Sequence, residues 1–134
     1  MGARFSSGIN PDRLKAAEVA AEPQRNGKYN ARRTEYNGVI YASKLEADTA
    51  RHLDLLKKGG YVTAWEAQVR FQLHAGITYV ADFVVTYKKG KPRTLDSKGM
   101  QTPEFKLKRR LFEDLYGPLD VIQRADEVPL EGRL

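Results

Sequence analysis

The chain has 134 residues, 41% of them hydrophobic and 30% charged, which is one domain's worth of ordinary globular composition rather than a disordered or membrane-embedded sequence. It contains no cysteine and two histidines, His52 and His74, so disulfides, thiolate chemistry and cysteine-bearing zinc sites are excluded. The formal charge of +6, with a pI near 9.6, favours a polyanionic partner.

Residues 1–30 show no apolar periodicity and read as a flexible N-terminal arm, with a short helix possible over residues 12–21; the ordered domain is expected over residues 31–134. The arm has no apolar stretch of the kind a secretory signal needs, and no run along the chain reaches the roughly 18 apolar residues of a membrane span, so a cytoplasmic location is expected. Thr34-Glu35-Tyr36 and Val39-Ile40-Tyr41 flank Asn37-Gly38, a pair that supplies the positive φ angles of a two-residue type I′ hairpin turn. Ser43-Lys44-Leu45-Glu46 has the spacing of a helix capping box, and Leu45, Thr49, Leu53 and Leu56 follow at helical intervals until Gly59-Gly60. Three strand-like runs come next, over residues 62–73, 77–87 and 91–98, separated by His74-Ala75-Gly76 and Lys88-Lys89-Gly90; they predict an antiparallel meander. Thr102-Pro103 opens a second helix, whose apolar face is read as Phe105, Leu107, Leu111, Phe112 and Leu115 before Gly117-Pro118 ends it. Residues 119–122 read as a last short strand.

Treating each inter-strand turn as a three-residue loop closed by a left-handed glycine fixes the register. The second turn, centred on Lys89, sets Asp82 directly opposite Asp96, with Cβ atoms roughly 4.5–5.5 Å apart. Two carboxylates so placed repel unless one is protonated or a cation lies between them. Asp82 also sits within an apolar strand, where an uncompensated charge is strongly disfavoured. Lys98, two residues beyond Asp96, projects from the same face by strand alternation. The first turn, centred on Ala75, brings Gln68 beside Asp82.

This patch has two readings. In one, a divalent metal on oxygen ligands, Mg²⁺ with Mn²⁺ able to substitute, bridges Asp82 and Asp96 while Lys98 orients or deprotonates a water and offsets phosphate charge. In the other, the same groups form a structural ion pair or triad. Gln68 either positions water or is an ordinary polar residue on a half-exposed strand. Between Lys88 and Arg110 nine basic residues (Lys88, Lys89, Lys91, Arg93, Lys98, Lys106, Lys108, Arg109, Arg110) face two acidic ones, a local excess of seven positive charges suited to a nucleic-acid backbone. Arg32 and Arg33, ahead of the hairpin, are further candidates. Lys106, Lys108, Arg109 and Arg110 are expected on the non-apolar side of the second helix, where a solvated helix face is the plain alternative. His52 and His74 have no spacing that pairs them with each other or with a carboxylate, and Trp65, Phe71, Tyr79 and Phe83 are expected in the core.

Ala81-Asp82, then Asp96-Ser97-Lys98, following a helix that carries Ser43-Lys44-Leu45-Glu46-Ala47, resembles the PD-(D/E)xK nuclease superfamily. The run from Tyr36 through Ala47, with Thr78-Tyr79-Val80-Ala81-Asp82-Phe83 and Lys98-Gly99, is similar to small phage and prophage endonucleases over about residues 28–122. The resemblance implies an α/β (α+β) restriction-endonuclease-like core, α-β-β-β-α-β behind the hairpin, with a central mixed sheet. It also implies Asp82, Asp96 and Glu46 as metal ligands, Lys98 as the group acting on water, and DNA as substrate. Ala81 stands where the motif has proline, a departure that removes neither acid nor lysine. Glu46 keeps a second reading, as the residue that closes the capping box begun by Ser43.

The expectation is therefore a Mg²⁺-dependent endodeoxyribonuclease in the cytoplasm, that of the host cell for a phage-encoded chain. Branched DNA and Holliday junctions are among its implied substrates and DNA recombination among its processes, with a homodimer suited to cutting two symmetric strands. The alternative is a catalytically silent DNA-binding or assembly protein that retains the same fold and basic surface.

Overall fold

The structure is a computed structural model and describes residues 32–134; the N-terminal arm and the short helix expected within it lie outside the described residues. The domain is α+β. A hairpin of β1 (Thr34–Tyr36) and β2 (Val39–Tyr41) leads into α1 (Lys44–Lys58), and β3 (Val62–Gln72), β4 (Thr78–Tyr87) and β5 (Arg93–Ser97) follow. α2 (Pro103–Tyr116) and β6 (Leu119–Ile122) complete the order. The main sheet runs β3-β4-β5-β6, antiparallel except for the parallel β5–β6 pair, so it is mixed. Among the described residues no helix is long and apolar enough to cross a membrane.

The local signals act as the sequence predicts. Asn37 and Gly38 have φ of 53° and 80°, the double positive value of a type I′ turn. Ser43 caps α1 by accepting from the Glu46 N–H at 3.1 Å, and the helix buries a stripe of Ala47, Thr49, Ala50, Leu53 and Leu56 against the sheet. Glu46 lies on that same buried stripe, an unusual place for an acid. Thr102 caps α2 through Phe105 N–H, with Pro103 in its first turn. The bend before β4 differs in detail: Ala75 as well as Gly76 is left-handed, with φ of 58° and 75°, yet the predicted register survives.

The apolar face of α2 is narrower than expected. Phe105 and Phe112 are buried and Leu111 half-buried, whereas Leu107 and Leu115 are 58% and 46% exposed. Phe105 and Phe112, seven residues apart, are almost aligned on a helix of about 100° per residue. Leu107 lies well round the helix from that line, while Lys108 and Arg109 border it and are half-buried. Two core clusters result. Phe83, Val85 and Leu95 pack with α1 and with Tyr41 of the hairpin, and Tyr79 and Ala81 pack with Phe105 and Phe112 of α2. The division along β4 falls at Asp82.

The C-terminal segment is stitched to the β4–β5 turn. Lys91 and Arg133 exchange backbone hydrogen bonds of 2.7 and 2.9 Å, and Asp120 accepts from both Arg93 and Arg133. A Cβ on Gly132 would stand 2.1 Å from the Lys91 carbonyl oxygen. Gly132→Ala should therefore force the two backbones apart and lower stability by about 1–3 kcal/mol, measured as a shift of the urea midpoint. An unchanged midpoint would mean that this segment contributes nothing to the fold.

Candidate active site

Five residues picked out in the sequence meet where the sheet ladder is interrupted. The β3–β4 pairs Ala67↔Phe83 and Val69↔Ala81 flank Gln68 and Asp82, and the β4–β5 pairing ends at Phe83↔Leu95, one step before Asp82 and Asp96. Beyond that point the Asp82 carboxylate takes over from the ladder, its Oδ2 accepting from both the backbone N–H and the hydroxyl of Ser97 at 2.9 Å. Gln68 has φ of 55° within β3, a left-handed conformation that a non-glycine strand residue adopts only when its surroundings enforce it. From there its Nε2 donates to Oε2 of Glu46 at 3.2 Å. The carboxylate of Glu46 thus turns toward the sheet, while its backbone N–H serves the Ser43 cap.

Asp96 is 1% exposed. Its Oδ2 accepts from the Tyr79 hydroxyl, and its Oδ1 is buried without a hydrogen-bond partner, with Lys98 Nζ 3.5 Å away as an ion pair. Burial and then the neighbouring Asp82 carboxylate push Asp96 up to about 8, against the opposing pull of Lys98 and Tyr79. Glu46 is raised well above the usual carboxylate range, first by burial and then by Asp82 and Asp96. For Lys98, burial works to lower the pKa, but Asp96, Asp82 and Glu46 together outweigh it and the net shift is upward. The ammonium also stands 4.9 Å from the centroid of the Phe105 ring, in cation–π range. At neutral pH Asp96 therefore favours its protonated form while Lys98 stays charged.

Glu46, Asp82 and Asp96 offer only hard oxygen donors, and the buried Oδ1 of Asp96, which has no hydrogen-bond partner, is an acceptor that a hard cation would satisfy. The donor chemistry fits Mg²⁺ or Mn²⁺. In the conformation described, however, no three His, Cys, Asp or Glu side chains among the described residues form a group that could hold a metal ion.

Sequence reasoning misses three contributors. Tyr79 is expected only as a core residue; the available signal is that a buried tyrosine hydroxyl needs a partner, which proves to be Asp96. Ser97 alternates away from Asp96 on an ideal strand, and it reaches Asp82 because the ladder opens there. Phe105, read as core, also underlies Lys98. His74 departs from expectation as well, its Nε2 lying 2.9 Å from Asp114 across the fold.

The basic residues, contiguous in sequence, separate in space. Lys88, Lys89 and Lys91 are exposed at the far end of the sheet, with Lys88 six residues beyond Asp82, about 20 Å along an extended strand. Arg93 is engaged by Asp120 and by the Glu131 carbonyl. On α2, Lys108 pairs with Glu104 and Arg109 with Glu113, and Arg109 also donates to the Leu119 carbonyl. Lys106 and Arg110 are exposed, as are Arg32 and Arg33.

The profile of a family described as protein of unknown function, DUF1064, matches residues 26–126. The chain belongs to this family. The matched region takes in Glu46, Gln68, Asp82, Asp96 and Lys98, together with every strand of the sheet, and leaves outside it the C-terminal residues that contact the β4–β5 turn. Neither the curated proteins nor the solved structures contain a match to the chain.

Proposed function

We propose that this DUF1064 chain is a Mg²⁺-dependent DNA endonuclease of the PD-(D/E)xK type, with a restriction-endonuclease-like core. The observation that carries the reading is the convergence of Glu46, Asp82 and Asp96 from three different elements beside Lys98, with one buried carboxylate oxygen of Asp96 lacking a hydrogen-bond partner. Gathering acids in an interior costs stability, a cost that a bound cation would offset. The excess of basic residues supports an anionic substrate.

In this reading Glu46, Asp82 and Asp96 would hold the divalent cation, which supplies Lewis-acid polarisation of a phosphate oxygen and a more acidic water. Gln68 and Tyr79 orient the carboxylates of Glu46 and Asp96 through their hydrogen bonds. Lys98, kept protonated by its three acidic neighbours, serves as a fixed positive charge and hydrogen-bond donor for a phosphate oxygen rather than as a base.

The test is cleavage of supercoiled, linear and branched DNA by the full chain with Mg²⁺, Mn²⁺ or EDTA. Cutting is expected with either metal and none with EDTA. Salt-sensitive DNA binding without cutting of any of these substrates would replace the proposal by the silent DNA-binding alternative.

A further inference from the structure

At the opposite end of the sheet from the acids lies a cleft of about 310 Å³. Its walls are the Gly59-Gly60-Tyr61 loop after α1, Lys88 and Lys89 of the β4–β5 turn, and Leu130 with Glu131 near the C-terminus. The walls are fastened by backbone bonds: Lys88 N–H donates to the Tyr61 carbonyl at 3.0 Å, and Gly132 N–H to that of Lys89 at 2.8 Å. Tyr61 is 48% exposed, and its ring lies against Gly59, where a Cβ would meet Cδ2 and Cε2 at 3.4 and 3.5 Å. The glycine gives one side of the ring a backbone to rest on while about half of the residue stays in solvent.

Positive charge also gathers near this place. Lys57 and Lys58 end α1 directly before this loop, and with Lys88, Lys89 and Lys91 they make five exposed lysines, none of which has an ion-pair partner among the described residues. On α2, Lys108 and Arg109 are neutralised by acids of their own helix, while Lys106 and Arg110 are exposed. Glu131 is the acid in the cleft, against Lys88 and Lys89 in its lining, with Lys57, Lys58 and Lys91 each within two residues of a lining residue in sequence. An exposed aromatic ring beside unpaired lysines in a concave setting suits a polyanion with free π faces, whereas duplex DNA keeps its bases stacked inside.

We propose that this cleft holds a single strand of DNA, a base stacking on Tyr61 and the phosphates contacting Lys88 and Lys89. The proposal rests on the reading of DNA as substrate and narrows it to DNA that carries an unpaired strand. About 20 Å separates the cleft from the acids, roughly six nucleotides at the spacing of B-form DNA.

The experiment is fluorescence anisotropy of a short labelled oligothymidine, and of a duplex of the same length, with the full chain in EDTA across a salt series. Parent, Tyr61→Ala, Tyr61→Phe and the double variant Lys88→Gln/Lys89→Gln are compared, each checked for an unchanged melting curve. Tyr61→Ala is expected to weaken oligothymidine binding by about 5- to 100-fold, with Tyr61→Phe close to parent and duplex binding unchanged by either. The double lysine variant should reduce the slope of log K against log salt for the single strand by about 1.4. Parental affinity in Tyr61→Ala, equal losses for single strand and duplex, or no oligothymidine binding by the parent would each overturn the proposal. Mg²⁺-dependent cutting by the parent alongside parental oligothymidine binding by Tyr61→Ala would sink this inference and leave the nuclease standing. Loss of oligothymidine binding in Tyr61→Ala from a parent that cuts nothing would do the reverse.

Discussion

Lys98→Ala is expected to bind Mg²⁺ about as well as the parent and to cut DNA about two orders of magnitude more slowly or worse, the usual cost of deleting a positioned charge-stabilising group. A protonated ammonium donates but cannot ligate a cation, so metal affinity should survive its loss. The seat of Lys98 supports this role: it is 3.5 Å from Asp96 Oδ1, stands over the Phe105 ring and remains one-third exposed, open to an incoming phosphate. Its upward pKa shift argues for fixed charge over proton abstraction. Lys98→Arg, which keeps the charge on a broader head, should then retain part of the activity that Lys98→Ala loses, whereas a base would find no substitute in a guanidinium that does not deprotonate. Mg²⁺ titration beside single-turnover cleavage separates the outcomes. Parental cutting by Lys98→Ala would reduce Lys98 to an ion-pair partner of Asp96.

The fold was legible wherever a local rule has a strong physical cause. Asn37-Gly38 dictated the hairpin turn, Ser43 and Thr102 the helix starts, and the two glycine-closed bends the register that aligns Asp82 with Asp96 and Gln68 with Asp82. What escaped was decided by tertiary context. The helical repeat of α2 fits several faces, and the sheet selected the one through Phe105 and Phe112, which left Leu107 and Leu115 in solvent and drew Lys108 and Arg109 toward the buried side. Ideal strand alternation gives no warning that the ladder opens at Asp82, so the bonds from Ser97 were out of reach, as was the left-handed backbone of Gln68. A basic run counted along the sequence was one feature, yet the extended β4 carries its first members about 20 Å from the acids. The cleft beside Tyr61 joins segments about thirty and forty residues apart in sequence, a juxtaposition that no local pattern encodes.

Asp96→Asn should make the metal-free protein more stable at about pH 8 while abolishing cleavage, a combination that an ordinary structural ion pair would not give. Burial, and after it the Asp82 carboxylate, holds Asp96 near 8 in the folded chain, whereas in the unfolded chain it titrates near its ordinary 3.8. Between those values the unfolded state has released a proton that the folded state retains. The contribution of Asp96 to the stability of the parent in EDTA is accordingly fully present below about pH 4, is lost as pH rises through this window, and levels off above about 8. Glu46, also raised, adds to the decline in the same direction. The amide introduced by Asp96→Asn would remove the Asp96 share of this decline, so parent and variant should draw together toward pH 4 and diverge by several kcal/mol as pH rises toward 8, each full pKa unit being worth about 1.4 kcal/mol. Mg²⁺ should reverse the trend in the parent, stabilising it more as pH rises, because its ligands must be deprotonated to bind, and should leave the variant nearly unmoved. Urea midpoints across this pH range, with EDTA and with Mg²⁺, measure both effects. A variant less stable than the parent at pH 8 in EDTA would mean that Tyr79 and Lys98 already satisfy the Asp96 carboxylate, and the acids would then be a feature of the fold rather than a site waiting for a cation.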